Sequence, residues 1–134
     1  MSVGDNAAPL VVTCAAIWRK GRILLARRAD SGQWELPGGK QHLGEELAAC
    51  LMREIREELD VAVEVLEPQG LVRERTPQRA LNLHCFACRL LEGPPQALEH
   101  LELCWVHPRK MASFDLCPAD RQLAALLQEQ LPLA

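Results

Sequence analysis

Three glutamates, Glu54, Glu57 and Glu58, stand at the i, i+3, i+4 spacing that gathers side chains on one flank of a helix. Like charges so placed destabilise an isolated helix by roughly 0.2–0.5 kcal/mol per pair. A hard divalent cation offsets that repulsion, because Mg²⁺ takes oxygen ligands and is held by a few carboxylates together with substrate phosphates. Taken alone, Glu-x-x-Glu-Glu reads better as a solvated acidic face. The residues before it change the reading. Gly38 and Gly39 are expected to open backbone conformations closed to other residues and to let a ligand approach the main chain. Gly44 leads into Glu45 and Glu46, expected in the first helical turn, where the macrodipole favours acids. Exposed amides joined to an acid-bearing helix suit a metal-bound polyphosphate, with amides on phosphate oxygens and carboxylates on the metal.

The helix that must position these acids is legible. Leu47, Leu51, Ile55 and Leu59 recur every fourth residue, with Ala48 and Met52 beside them, as one apolar stripe. Arg53 precedes Glu57 by four residues, the spacing of an intrahelical ion pair, and is expected to orient that carboxylate. Lys40 reads either as a point charge for a phosphate or as a solvated loop lysine.

The stretch from Gly38 to Val61 resembles the Nudix box, G-x5-E-x7-R-E-U-x-E-E-x-G-U with U aliphatic. Gly39, Glu45, Arg53, Glu54, Ile55, Glu57, Glu58 and Val61 all match, and only Asp60 departs, in place of the last glycine. That position lies just past the helix end, where a left-handed residue is common and Asp is tolerated better than most. The resemblance implies an α/β/α sandwich with a mixed sheet between helices, and hydrolysis of a phosphorus anhydride with Mg²⁺, Mn²⁺ being an alternative. It implies a metal held by Gly39, Glu54, Glu57, Glu58 and Glu99, with Arg53 in support. Arg28, Gly38, Gly39, Lys40, Arg79 and Asp120 are the implied substrate contacts. The general base stays open between a box glutamate and Glu99, six residues before Trp105, with Glu102 as the fallback.

Among Nudix branches the chain looks most like the MutT-like nucleoside triphosphate pyrophosphatases. Pro118-Ala119-Asp120 resembles their base-recognition segment, and an ionised Asp120 would accept a hydrogen bond from an exocyclic amine such as that of cytosine. Asp120 reads equally as an acid favoured in the first turn of the last helix. The expected substrates are (d)CTP or modified pyrimidine nucleotides, then oxidised guanine nucleotides such as 8-oxo-dGTP. Pro77 stands at a spacing beyond the box that resembles ADP-ribose members, which keeps that alternative open. A non-catalytic nucleotide-sensing module would be expected to have lost a box carboxylate, and this chain keeps all of them.

The bulk numbers agree with a small-molecule enzyme. At 134 residues and a formal net charge of −3, the chain is expected to be one domain, with its first eight residues mobile, and to lack the basic field of a nucleic-acid or membrane binder. No apolar run approaches a membrane span and Met1-Ser2-Val3-Gly4 has no leader character, so a cytoplasmic monomer or homodimer is expected. Six cysteines are scattered through apolar segments, and Cys85 and Cys88 lie at strand spacing that sends them to opposite faces, so free thiols are expected.

In chain order, strands are predicted over Leu10–Trp18 and Arg22–Ala26, joined by a turn at Arg19-Lys20-Gly21. Arg27 and Arg28 follow, one of them a solvated strand end. Trp34 is expected to pack rather than to stack on a base. After the box helix, Val61–Val65 reads as a short strand, Glu67-Pro68-Gln69-Gly70 as a turn, and Leu71–Arg75, Arg79–Leu91 and Leu103–Val106 as further strands. Pro108–Met111 reads as one helical turn, and Pro118–Leu131 as a closing amphipathic helix built on Leu123, Leu126, Leu127 and Leu131.

Overall fold

A computed structural model describes residues 8–131, so the mobility expected of the first residues falls outside it except for Ala8. The elements are β1 (Leu10–Arg19), β2 (Arg22–Arg27), β3 (Trp34–Glu35), β4 (Gly38–Lys40), α1 (Leu47–Leu59), β5 (Val63–Arg75), β6 (Ala80–Leu90), β7 (Glu102–Val106), a 3-10 helix (Pro108–Ser113) and α2 (Pro118–Glu129). The seven strands form one mixed sheet with the order β3-β2-β1-β6-β5; β4 pairs with β1 and β7 with β2. β1 and β6 run parallel from Leu10↔Leu81 to Trp18↔Arg89, and the other strand-to-strand pairings among the described residues are antiparallel, with one isolated parallel bridge between Trp34 and Leu116.

Strand alternation divides the interior in two, as its period of two requires. Cys14, Ala16, Ile23, Leu25 and Cys85 face Leu123, Ala124 and Leu127 of α2. Ala15, Ile17, Leu24 and Cys88 face Leu51, Ile55 and Leu59 of α1. The sheet is therefore sandwiched between the two helices, as expected, and Cys85 and Cys88 do point to opposite faces. All six cysteines are free.

The β1–β2 hairpin turns on Lys20 (φ 51) and Gly21 (φ 75) with Arg19 opposite Arg22. Two left-handed residues match the twist of the flanking strands. Leu51, Ile55 and Leu59 are all 0% exposed, and burial of each is worth about 1.5–3 kcal/mol. Their burial outweighs the few tenths lost to like-charge neighbours, so α1 can carry a crowded acid face. It ends as anticipated, with Asp60 left-handed (φ 56) and its N–H donating to Arg56 O.

Several expectations are corrected. α1 begins at Leu47, so Glu45 and Glu46 are not in its first turn. The Glu45 carboxylate instead accepts from the His42 N–H at 3.0 Å and closes the preceding loop. Ala48 and Met52 are exposed, and the buried stripe includes Cys50 and Glu58 instead. It is rotated because Cys50 seats against Thr13 of β1, 3.3 Å between Sγ and Oγ1. The turn expected at residues 67–70 lies inside β5, where the register shifts around Pro68 and Gly70. β5 is the last strand of the main order, and an edge tolerates a proline at a bulge because no ladder partner needs its missing N–H. The 3-10 helix runs on to Ser113, and α2 stops at Glu129, leaving Leu131 beyond it.

Candidate active site

Gly38 and Gly39 form most of β4, and neither has a positive φ. What they need is space rather than conformational freedom. A Cβ on Gly38 would overlap the Thr13 backbone, and one on Gly39 would overlap the Glu54 carboxylate. Strand β4 thus lies flush against β1 on one side and against the acid face of α1 on the other.

Arg53 fastens that junction. Its guanidinium donates to both Glu45 oxygens (2.8 and 3.1 Å), to Glu54 Oε1 (2.9 Å), to Lys40 O (3.0 Å) and to Glu57 (3.3 Å). The expected pair with Glu57 is present but is the longest of these contacts. Arg53 mainly ties the loop before α1 and strand β4 to Glu54, and its side-chain bonds lower Glu45 to about 2.

A cleft of about 530 Å³ opens beside β4, lined by Glu54 and Glu58 of α1, Glu35 of β3, Glu99 and His100 of the loop before β7, and Arg28. Glu58 is pushed up to about 9, first by burial, then by its hydrogen bond with Glu54 and by the charges of Glu35, Glu54 and Glu99. Concentrated carboxylate charge of this kind is what a divalent cation relieves. The residues therefore fit a metal, with Glu54 and Glu58 as donors and Glu99 across the cleft. The trio Glu54, Glu57, Glu58 does not converge on it: Glu57 has a side chain 52% exposed and is not among the lining residues. Instead, Glu35, Glu58 and His100 bring ligand atoms within 4.8 Å of one another. Glu102, the fallback acid, is engaged elsewhere, with Arg27 at 3.1 Å.

A second chamber of about 540 Å³ adjoins the first and shares Arg28, Glu35, Gly38, Gly39 and Lys40 with it. Its walls are Leu10, Val12, Leu81 and Leu83, with Cys117, Asp120 and the Arg79–Glu74 ion pair (3.0 Å) among its polar groups. Asp120 accepts the Leu36 N–H at 2.8 Å. Burial, then the charge of Glu35, pushes it up to about 7. Arg28 stands at the boundary, forked on Asp30 (2.9 and 2.7 Å) with its remaining nitrogen on Glu35 (3.0 Å). These bonds hold Asp30 well below the usual carboxylate range.

Every expected site residue except Glu57, Arg53 and the fallback Glu102 thus lines one or the other chamber. Trp34 packs edge-on against Phe114, centroids 5.2 Å apart, and does not serve as a stacking platform. Sequence reasoning missed Glu35 and His100. Their one signal was adjacency, Glu35 two residues before Pro37-Gly38 and His100 next to Glu99.

The NUDIX domain description matches residues 8–127. The chain belongs to the Nudix hydrolase family. It is 38% identical over 129 residues to a protein of Mycobacterium tuberculosis named putative 8-oxo-dGTP diphosphatase 2, covering 90% of this chain and 89% of that one. It is 36% identical over 113 residues to the CTP pyrophosphohydrolase of Escherichia coli (strain K12), covering 81% and 84%. A crystal structure of a MutT Nudix hydrolase from Burkholderia pseudomallei superimposes with a TM-score of 0.78 at 30% identity, covering 90% and 98%. Among the described residues no helix is long and apolar enough to cross a membrane.

Proposed function

We propose that this Nudix hydrolase cleaves a nucleoside triphosphate to the monophosphate and pyrophosphate, with Mg²⁺, and that (d)CTP or 8-oxo-dGTP is its preferred kind of substrate. The observation that carries this reading is the pair of adjoining chambers, one lined by Glu54, Glu58 and Glu99 and one walled by Leu10, Val12, Leu81 and Leu83 around the buried Asp120, which share Glu35 and meet at Gly38-Gly39-Lys40. A triphosphate fits the first and a base the second. The relatives' names, a putative 8-oxo-dGTP diphosphatase and a CTP pyrophosphohydrolase, support the same substrate class.

Bound Mg²⁺ would neutralise phosphate charge and lower the pKa of water. The chain's own residues bind, orient and take up the proton. Glu54 and Glu58, with the Gly39 carbonyl, would hold the ion, and Glu57, exposed on the helix flank, would add its charge from the side. Arg28 and Lys40 meet phosphate oxygens. Asp120 reads the base edge between Val12, Leu81 and Leu83, with Arg79 at the rim. Glu54 is committed to Arg53 and Glu58 is buried, so Glu99, on its own loop, takes the proton of the attacking water. Pro77, the pointer toward ADP-ribose members, has a local explanation. It sits in the β5–β6 turn that Thr76 closes by donating its N–H to Arg79 O at 2.8 Å.

The test is a panel of nucleoside triphosphates, ADP-ribose and dinucleotides with Mg²⁺ in ¹⁸O-labelled water. Monophosphate and pyrophosphate should appear, label in one of them only, with no free orthophosphate. Rapid hydrolysis of ADP-ribose with triphosphates untouched would overturn the substrate and leave the acid chamber standing.

A further inference from the structure

His100 has a side chain only 5% exposed, yet its Nδ1 is buried without a partner. Its Nε2 lies 2.9 Å from Glu35 Oε2 and 3.6 Å from Glu58 Oε1. An imidazole buried for packing alone would not be held between two carboxylates with its other nitrogen unpaired. Glu35 divides its oxygens between two donors: Oε2 faces His100, and Oε1 takes Arg28 Nη1 at 3.0 Å. The chain His100–Glu35–Arg28 therefore runs from the α1 side of the acid cleft to the boundary with the apolar chamber.

We propose that His100 is a positioning residue that fixes Glu35, and through it holds Arg28 against the nucleotide where the two chambers meet. With an acid on each side of it, Nε2 is the ring nitrogen assigned the proton, and it gives Glu35 Oε2 a donor beside Glu58. Without the ring Glu35 loses the partner of its Oε2 and turns from its place, and Arg28 keeps only Asp30 as its side-chain anchor. The loop itself stays in place without the ring, because Leu98 N–H donates to Glu58 O (3.1 Å) and Leu101 N–H to Arg27 O (2.9 Å).

This inference rests on the reading of the cleft as a nucleoside triphosphate site. The experiment is a double-mutant cycle on the full chain, reading kcat and KM with the best triphosphate of the panel. His100→Leu is expected to raise KM about tenfold, the size of a lost charge-assisted hydrogen bond, with kcat within about twofold. His100→Gln, whose amide N–H replaces the Nε2 donor, should restore KM to within about threefold. His100→Leu combined with Arg28→Ala should be no worse than Arg28→Ala alone, because both remove the same unit. Additive effects, or a fall in kcat with KM unmoved, would overturn the inference. Should His100→Leu fail to fold, Glu35→Gln keeps the volume and must show the same KM rise and the same non-additivity with Arg28→Ala. A wild-type enzyme that cleaves no triphosphate would defeat the functional reading, whereas an active one with additive substitutions defeats this inference alone.

Discussion

On the α1 side of Gly38-Gly39-Lys40, Glu54, Glu58 and Glu99 line a cleft in which burial and neighbouring charge push Glu58 to about 9. On the other side, Leu10, Val12, Leu81 and Leu83 line a chamber whose Asp120, pushed to about 7, already accepts a backbone N–H. The first chamber crowds acids whose mutual repulsion a divalent cation would relieve. The second has Asp120 as its buried acid, already holding the Leu36 N–H and set among apolar walls where a base could lie. Carboxylates that repel in the free protein suit chemistry on any phosphate chain, and a buried, directed acceptor suits choice among bases. Chemistry and selection should then be separable by substitution.

The largest break falls in the acid chamber. Glu58→Gln should lower kcat more than about a hundredfold for every triphosphate, since a bound metal's charge stabilisation is worth several kcal/mol. Steady-state kinetics across bases checks this, and a loss confined to one base would contradict it. Gly39→Ala should follow at about ten- to a hundredfold in kcat, the range for disturbing the support of a metal site. Its Cβ would point at and displace the Glu54 carboxylate, on the acid side of β4, so relative rates among bases should not change.

A smaller effect concerns stability of the metal-free protein. The value of about 9 for folded Glu58 lies above the roughly 4.3 of an unfolded glutamate. The folded state therefore holds the proton more tightly. The stability this contributes is complete below that unfolded value and is lost as pH rises toward about 9. Melting temperature in EDTA should fall between about pH 6 and pH 9, and Glu58→Gln should flatten the slope. An unchanged slope in the variant would show that other groups carry it. The smallest effect is outside both chambers. Asp60→Gly removes a left-handed non-glycine (φ 56) and should stabilise by about 1 kcal/mol or less in denaturant unfolding. It loses only an exposed 3.7 Å pair with Arg56, which is worth little, and should leave kcat unchanged.

How far the sequence revealed each chamber follows from the distances along the chain. The acid chamber is largely one helix and the strand before it, so residues 39–61 hold Gly39, Glu54 and Glu58 in one local pattern. Even there, orientation was hidden. Glu54 and Glu58 are about 40° apart around a helix, while Glu57 is about 60° from Glu54 on the other side, and only tertiary docking decides which flank meets Glu35. Strands β3 and β4, of two and three residues, are too short to show a period of two. β5 hid its continuity behind Pro68 and Gly70, which read as a turn until the strand is known to be an edge. The remaining contacts are made at long range: Glu35 meets His100 across 65 positions, and Leu36 meets Asp120 across 84. No local periodicity encodes such pairs. Asp120 was picked out by resemblance, whereas its burial and its Leu36 partner needed the fold.

The division of labour is tested most directly by measuring kcat/KM for wild type, Glu54→Gln and Asp120→Ala across CTP, dCTP, GTP, ATP, UTP and 8-oxo-dGTP. Glu54→Gln should scale every value down by a similar factor. Asp120→Ala should cost about tenfold or more for the preferred base, the worth of one hydrogen bond to a base edge, and spare poor substrates. A uniform loss in Asp120→Ala, or a loss in Glu54→Gln that depends on the base, would contradict the separation of the two chambers.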